Sequence, residues 1–314
     1  MWSYLGKRLA QLVVIAFVIS ILVFLLVHLL PGDPTVTILG PSDTHQARQE
    51  LLKQLGLDKP LYEQYFIWLW NILQGNLGQS FLTHETVASA VGHAAPIDIE
   101  LIIGSQLVAV LVAVPLALLA ALRPNRAFDR SATTTTFGLL SFPSYVAGVL
   151  MVDAFAVGIH LFPASGFTPI TQSLTQNLRG VTMPIIALTL GSVAIYFRLL
   201  RADLIATLQE DFVTMARAKG LSTRYILTRH ALRPSSFALL AGAGISIGSL
   251  LTGTFVIEYY FNMAGMAATL VDAIQQRDYL VVQGLALIIS VAYVIINMVV
   301  DFLLTLLDPR IRRA

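Results

Sequence analysis

A chain of 314 residues that is 56% hydrophobic and 12% charged departs far from the roughly 25% charged residues of a soluble domain, and the composition is that of a membrane protein. Its net charge of +2 is scattered between apolar runs, which gives no basic patch for nucleic acid. Zero cysteines exclude a disulfide framework, a thiolate metal site and a thiol nucleophile.

Lys7 and Arg8 precede an apolar run, Leu9 to Leu30, broken only by Gln11, Ser20 and His28. A cleaved secretory signal has an apolar core of about 7–15 residues. This run instead matches the ~20 residues that cross a bilayer, so residues 1–30 are expected to form an uncleaved first transmembrane helix, ended by Pro31-Gly32-Asp33-Pro34 because proline removes a donor and cannot continue the helix. Residues 31–96 read as an extracytoplasmic lobe with two surface helices, about Gln46 to Leu55 and Tyr62 to Leu73. In the second, Tyr62, Tyr65, Phe66, Leu69 and Leu73 recur at near-helical spacing and are expected to pack on the membrane helices.

Residues 97–314 are expected to form a five-helix core, with apolar runs at about 97–122, 132–159, 181–200, 236–257 and 280–307. With the first run this makes an all-α protein of six transmembrane helices. Pro115 should bend the second, a break that neighbouring helices tolerate. Gly244 and Gly248 form a G-x-x-x-G pair that lets helix backbones approach closely. Fifteen of the 20 Lys and Arg residues fall on one side of the membrane in this arrangement, so the positive-inside rule places both termini in the cytoplasm. No internal repeat is visible, which disfavours a carrier folded from inverted halves.

Between the fourth and fifth runs lies a polar, basic island at about 209–234. Its first part reads as a short helix: Asp211 suits the positive N-terminal end, Arg217 and Lys219 the negative C-terminal end, and Gly220 the left-handed stop. Phe212, Met215, Ala216 and Lys219 share one face of that helix by spacing. Ser222 is expected to cap a second helix that runs on past Pro234. Taken alone, such residues are more often an ordinary solvated loop with two helical turns.

Little catalytic chemistry survives inspection. Gly244-Ile245-Ser246-Ile247-Gly248 fits G-x-S-x-G, yet a nucleophile elbow needs a strand-to-helix turn, and this serine sits within an apolar helical run. His84-Glu85 begins like H-E-x-x-H, but Ala88 stands where the second zinc ligand belongs. A P-loop needs Lys followed by Ser or Thr, whereas the four lysines precede Arg8, Gln54, Pro60 and Gly220. No catalytic, metal or cofactor site is therefore expected here. If transport is ATP-driven, another chain must bind ATP and Mg, and an exposed short helix then suits a partner's groove. Within the membrane runs, Asp153 and His160 are seven apart and are expected to share a helix face. That makes them candidates for the substrate path, although a structural hydrogen bond is the commoner role. Tyr293, Asn297 and Asp301 form an i, i+4, i+8 stripe, most simply an interhelical polar seam. An ion-coupled secondary carrier would use Asp153 or Asp301, and is the alternative reading.

Ala216-Arg217-Ala218-Lys219-Gly220-Leu221-Ser222 followed by Arg229-His230-Ala231-Leu232-Arg233 resembles the cytoplasmic coupling loop, the EAA motif, of the peptide branch of ABC-importer permeases. Thr214 and Met215 stand where the general motif has Glu and Ala, and Pro234 falls one residue late, so the branch likeness exceeds the general one. The resemblance covers nearly the whole chain. It extends through Leu29-Leu30-Pro31-Gly32-Asp33-Pro34, Gly75-Asn76-Leu77-Gly78, Pro163-Ala164-Ser165-Gly166 and Leu307-Asp308-Pro309-Arg310, in family order. It implies a type I importer permease in a bacterial or archaeal cell membrane, with membrane lipid around it. Its implied partners are a second homologous permease, two ATPase subunits and an extracytoplasmic substrate-binding protein. Short peptides are the implied substrate class, with nickel complexes or haem as family variants. It also assigns Asp211, Phe212, Thr214, Met215, Ala216, Arg217, Ala218, Lys219 and Gly220 to ATPase coupling.

Overall fold

The computed structural model describes residues 2–29, 39, 44–54 and 58–307. Among them no strand forms, and the β-pairing is one isolated bridge between Gln79 and Thr86. The helices in chain order are α1 (Trp2–Leu29), α2 (His45–Gln54), α3 (Leu61–Leu73), α4 (Val87–Leu122), α5 (Ala127–Ser141), α6 (Ser144–Met151), α7 (Leu174–Thr207), α8 (Asp211–Ala218), α9 (Thr223–Tyr225), α10 (Leu232–Tyr260), α11 (Met266–Gln276) and α12 (Tyr279–Leu307). Two π-helical segments, Val152–Gly158 and Ile226–Ala231, follow α6 and α9 directly. Among the described residues, four helices are long and apolar enough to cross a membrane: Ala10–Leu29, Val87–Leu122, Leu174–Thr207 and Tyr279–Leu303. Two bent pairs, Ala127–Ser141 with Ser144–Gly158 and Thr223–Leu250 with Gly253–Tyr260, raise the number to six if each pair is one span.

The third apolar run is not the single helix expected of it. α5 and α6 meet at 95°, and the cause is Pro143. A residue before proline is pushed out of the helical region, and Phe142 takes ψ 116° while Pro143, at ψ 139°, starts the next helix. Pro115, by contrast, lies inside α4 without dividing it. Pro234 sits just inside α10 and cannot donate to the carbonyl four residues back. The π-helical widening at Ile226–Ala231 lies immediately upstream, where the proline ring would crowd a regular helix. The proposed helix stop at Pro31 to Pro34 and the end of the first lobe helix at Leu55 lie outside the described residues.

The chain forms two compact units, residues 1–97 with 264–295 and residues 98–263 with 296–314. In the first, α3 packs on α1 through Tyr65 and Trp68. The Tyr65 and Ser20 hydroxyls lie 2.8 Å apart, and Phe24 meets the Tyr65 ring edge-on at 5.4 Å and the Trp68 ring at 5.7 Å. Tyr62, Phe66 and Leu73 of the expected stripe stay exposed, because the contact line runs along the neighbouring helix face. Val27, Val87, Ala273, Val281, Val282 and Leu285 form that unit's apolar core. A Cβ on Gly284 would meet Val87, so α4 and α12 touch there nearly backbone to side chain.

The second unit is built around α7. Ala109, Ala113, Ala117 and Ala121 line one face of α4 at four-residue spacing, and against them lie Val193, Tyr196, Phe197, Leu200 and Leu204 of α7. Small residues on one helix admit large ones from the other, which is how membrane helices gain packing without a hydrophobic drive between them. Ser173 caps α7 by accepting from the Gln176 amide.

Candidate functional site

The polar island folds as its residues dictate. α8 spans Asp211–Ala218, Lys219 closes it, and Gly220 takes φ +80°, a conformation glycine adopts without Cβ strain. The Gly220 amide donates to the Arg217 carbonyl at 2.9 Å and the Leu221 amide to the Ala216 carbonyl at 3.3 Å, which satisfies the carbonyls a helix end leaves open. Ser222 then accepts from the Tyr225 amide at 3.4 Å and caps the helical run that passes Pro234 into α10.

Two rows of side chains divide α8. Val213 and Ala216 are buried with Ile226 and pack against Leu208, seating the helix between the end of α7 and the start of the next helical run. Phe212 and Met215 point the other way and are 43% and 61% exposed, and Thr214, Arg217, Ala218 and Lys219 are exposed beside them. This corrects the single face read from spacing. Ala216 belongs to the inner row, because the i, i+3 pair Val213 and Ala216 is the one that meets Ile226. A hydrogen bond of 2.9 Å between the Thr207 and Ser235 hydroxyls ties the end of α7 to α10 across the loop.

Six residues before that end, Arg201 of α7 pairs with Asp129 in the first turn of α5, whose side chain is 2% exposed. Arg201 donates from Nε to one carboxylate oxygen and from Nη2 to the other at 2.6 Å, and the Asn125 amide donates to the carboxylate at 2.7 Å. A bidentate pair of this kind fixes orientation as well as distance. The sequence reading missed it, since the partners are 72 residues apart.

Asp153 and His160 do not share a helix face. Asp153 lies in the π-helical segment, which ends at Gly158, and His160 lies beyond it at φ +52°. Both are exposed. Other acids proved more deeply placed: Asp98, Glu258 and Asp278 are buried, Asp278 accepts from the Ser80 hydroxyl, and Asp98, Glu258 and Asp301 are engaged in polar or other contacts of their own.

At Gly244 a Cβ would fall on the Val300 side chain of α12. Gly248 is buried. Gly242, which the spacing did not single out, makes a less close approach to Leu199 than Gly244 makes to Val300. Between these glycines Ser246 shares a 3.1 Å hydrogen bond with Ser192 and accepts from Gln106 Nε2 at 3.4 Å, while the Tyr196 hydroxyl donates to Gln106 Oε1. Neither a histidine nor a carboxylate is among these partners, and the serine lies inside α10 rather than on a strand-to-helix turn, so the hydrolase pattern has no chemistry behind it. Among the described residues, no group of three His, Asp or Glu side chains is placed to hold a metal.

The helical membrane chain thus carries an exposed, capped helix at one edge of its core, and comparison with known families gives its class. Residues 113–313 match the model of the binding-protein-dependent transport system inner membrane component, and residues 1–102 match the N-terminal model for membrane components of such systems. The chain belongs to this family: it is an ABC-importer permease of the peptide type, a multi-pass protein of the inner membrane. Among curated relatives it is 35% identical over 312 residues to the glutathione transport system permease protein GsiC of Escherichia coli O6:H1, and 34% identical over 312 residues to that of Escherichia coli K12. It is 35% identical over 314 residues to that of Shigella boydii serotype 4, with 99% of both chains covered in all three cases. Membership of a binding-protein-dependent system replaces the ion-coupled alternative. It also implies ATPase and substrate-binding-protein partners.

Proposed function

We propose that this chain forms half of the translocation path of an ATP-driven importer for short peptides. It would pair with a second homologous permease, two ATPase subunits that bind ATP and Mg, and an extracytoplasmic substrate-binding protein. The chain crosses the membrane six times, with each bent pair counted as one span and both termini in the cytoplasm, in a type I arrangement. Residues 31–96 form the outer lobe and 209–234 the cytoplasmic loop. Glutathione, the substrate named for its relatives, is itself a short peptide and the first compound to test.

The observation that carries this reading is the two-sided α8. Its inner row is anchored to its own chain, while Phe212 and Met215 stand exposed where a groove on an ATPase subunit would cover them. Closure of the ATPases pushes α8, and Gly220 together with the Thr207–Ser235 hydrogen bond hands that movement to α7 and α10. Gentle extraction of the tagged chain from its native membrane tests the assembly: a second permease and P-loop ATPases should accompany it. Recovery of the chain alone, under conditions that preserve a known importer, would overturn the reading. Uptake of labelled glutathione against labelled dipeptides then sorts the substrates.

A further inference from the structure

Thr133, Thr136, Phe137 and Leu140 of α5 face Ala194, Phe197, Arg198 and Arg201 of α7 across a shallow, open groove. Its two arginines differ in their electrostatic state. Arg201 is consumed by Asp129. Arg198 is exposed and has no hydrogen-bond or ion-pair partner among the described residues. A third polar group, the Thr133 hydroxyl, is buried in the groove wall with no partner of its own. The Thr136 hydroxyl is spent on the Ala132 and Thr133 carbonyls at 2.9 Å; the other lining residues are apolar, and Phe137 and Leu140 are exposed.

The depth of this groove decides what fits it. The Asp129–Arg201 pair lies at the first turn of α5, directly after the polar loop Arg123 to Arg126, which marks the edge of the apolar layer. Arg198 lies one helical turn deeper, about 4.5 Å at the rise of an α-helix. An unpaired arginine at that level is costly in hydrocarbon and is stabilised by reaching a phosphate at the interface, and anionic lipids supply such phosphates.

We propose that the α5–α7 groove binds an anionic phospholipid. The phosphate sits on Arg198, and the first acyl methylenes lie along Phe137 and Leu140. The leaflet is the one facing the Arg123–Arg126 loop, which the topology proposed above makes cytoplasmic; the site itself does not depend on the substrate or on ATPase coupling.

Native mass spectrometry of the complex, extracted with the subunits that accompany it and exchanged against phosphatidylglycerol or phosphatidylcholine, tests the proposal. The unaltered complex should retain phosphatidylglycerol in preference to phosphatidylcholine. Arg198→Gln should lower that retention about tenfold, as for loss of a charge-assisted contact, while Arg198→Lys keeps most of it. Arg224→Gln, on the exposed turn outside the groove, is the control and should change nothing. Equal retention of the two lipids by the unaltered complex would overturn the site. So would undiminished phosphatidylglycerol in Arg198→Gln, and if that variant also lost uptake, Arg198 would instead serve a translocated carboxylate. Because lipid retention is read without transport or ATP, a failure here leaves the importer reading untouched, and a complex lacking ATPases leaves this site testable.

Discussion

Helices α7 and α8 are three residues apart in the chain and treat their large side chains in opposite ways. α7 buries Tyr196, Phe197, Leu200 and Leu204 against the alanine face of α4, and three of its polar side chains are paired across helices: Tyr196 to Gln106, Ser192 to Ser246, Arg201 to Asp129. α8 buries only Val213 and Ala216 and leaves Phe212 and Met215 in the open. The first is a finished scaffold. The second is a surface awaiting a partner, held in place by the least apolar contact that will seat it. Substitutions in and around α7 should therefore show as stability, whereas changes on the outer row of α8 and at its stop should show as uptake with the fold intact.

The sharpest separation is expected at Gly220. No atom lies within 4 Å of a Cβ built there, so a side chain meets no neighbour and only the φ of +80° resists it. A β-branched residue is a true outlier in that region. Gly220→Val should abolish uptake with normal amounts of chain in the membrane, while Gly220→Asn, which tolerates the left-handed region, should keep much of it. Normal uptake by Gly220→Val would break the contrast between the two helices.

Asp129→Asn should act oppositely, through stability. Removing one partner of a buried pair leaves the other charge uncompensated; since Arg201 is partly exposed, a loss of about 3 kcal/mol, the low end for such pairs, is expected. Thermal denaturation of the extracted chain measures it. Gly244→Ala comes next, since its Cβ would overlap Val300; overpacking of this kind costs about 1–3 kcal/mol. Adding Val300→Ala should recover much of that, and a double variant no more stable than the single one would show that the two helices do not meet there. The smallest effect is expected at Ser246→Ala, about 1 kcal/mol for its shared hydrogen bonds, with uptake retained. Loss of uptake there would give that serine a role the buried cluster does not.

The island at 209–234 was legible because its signals are local. Asp211 at a helix start, Gly220 at a stop and Ser222 at a cap each act on backbone within a few residues, and the structure uses all three that way. The direction of Ala216 was not legible, because it depends on Ile226, which packs from the next helical run. In the third apolar run the signal was present and outweighed: Pro143 marks the break between α5 and α6, but a predominantly apolar stretch of nearly thirty residues with one carboxylate, Asp153, reads as one span. The same oversight placed Asp153 and His160 on one face of a helix that ends between them. Tertiary pairs such as Asp129 with Arg201, or Gly242 with Leu199, leave no trace in spacing, since each partner alone looks like an ordinary membrane-edge charge or an ordinary small residue.

The absence of cysteine from the chain makes the central claim directly measurable. Met215→Cys and Val213→Cys each introduce one thiol, on the outer and the inner row of α8, and a short thiol-to-amine cross-linker can be applied to native membranes. The account predicts an adduct between Met215→Cys and a P-loop ATPase subunit, with yield changing when ATP is trapped unhydrolysed, and little or none from Val213→Cys. No adduct from Met215→Cys in membranes that contain the ATPase, or equal adducts from both positions, would contradict it.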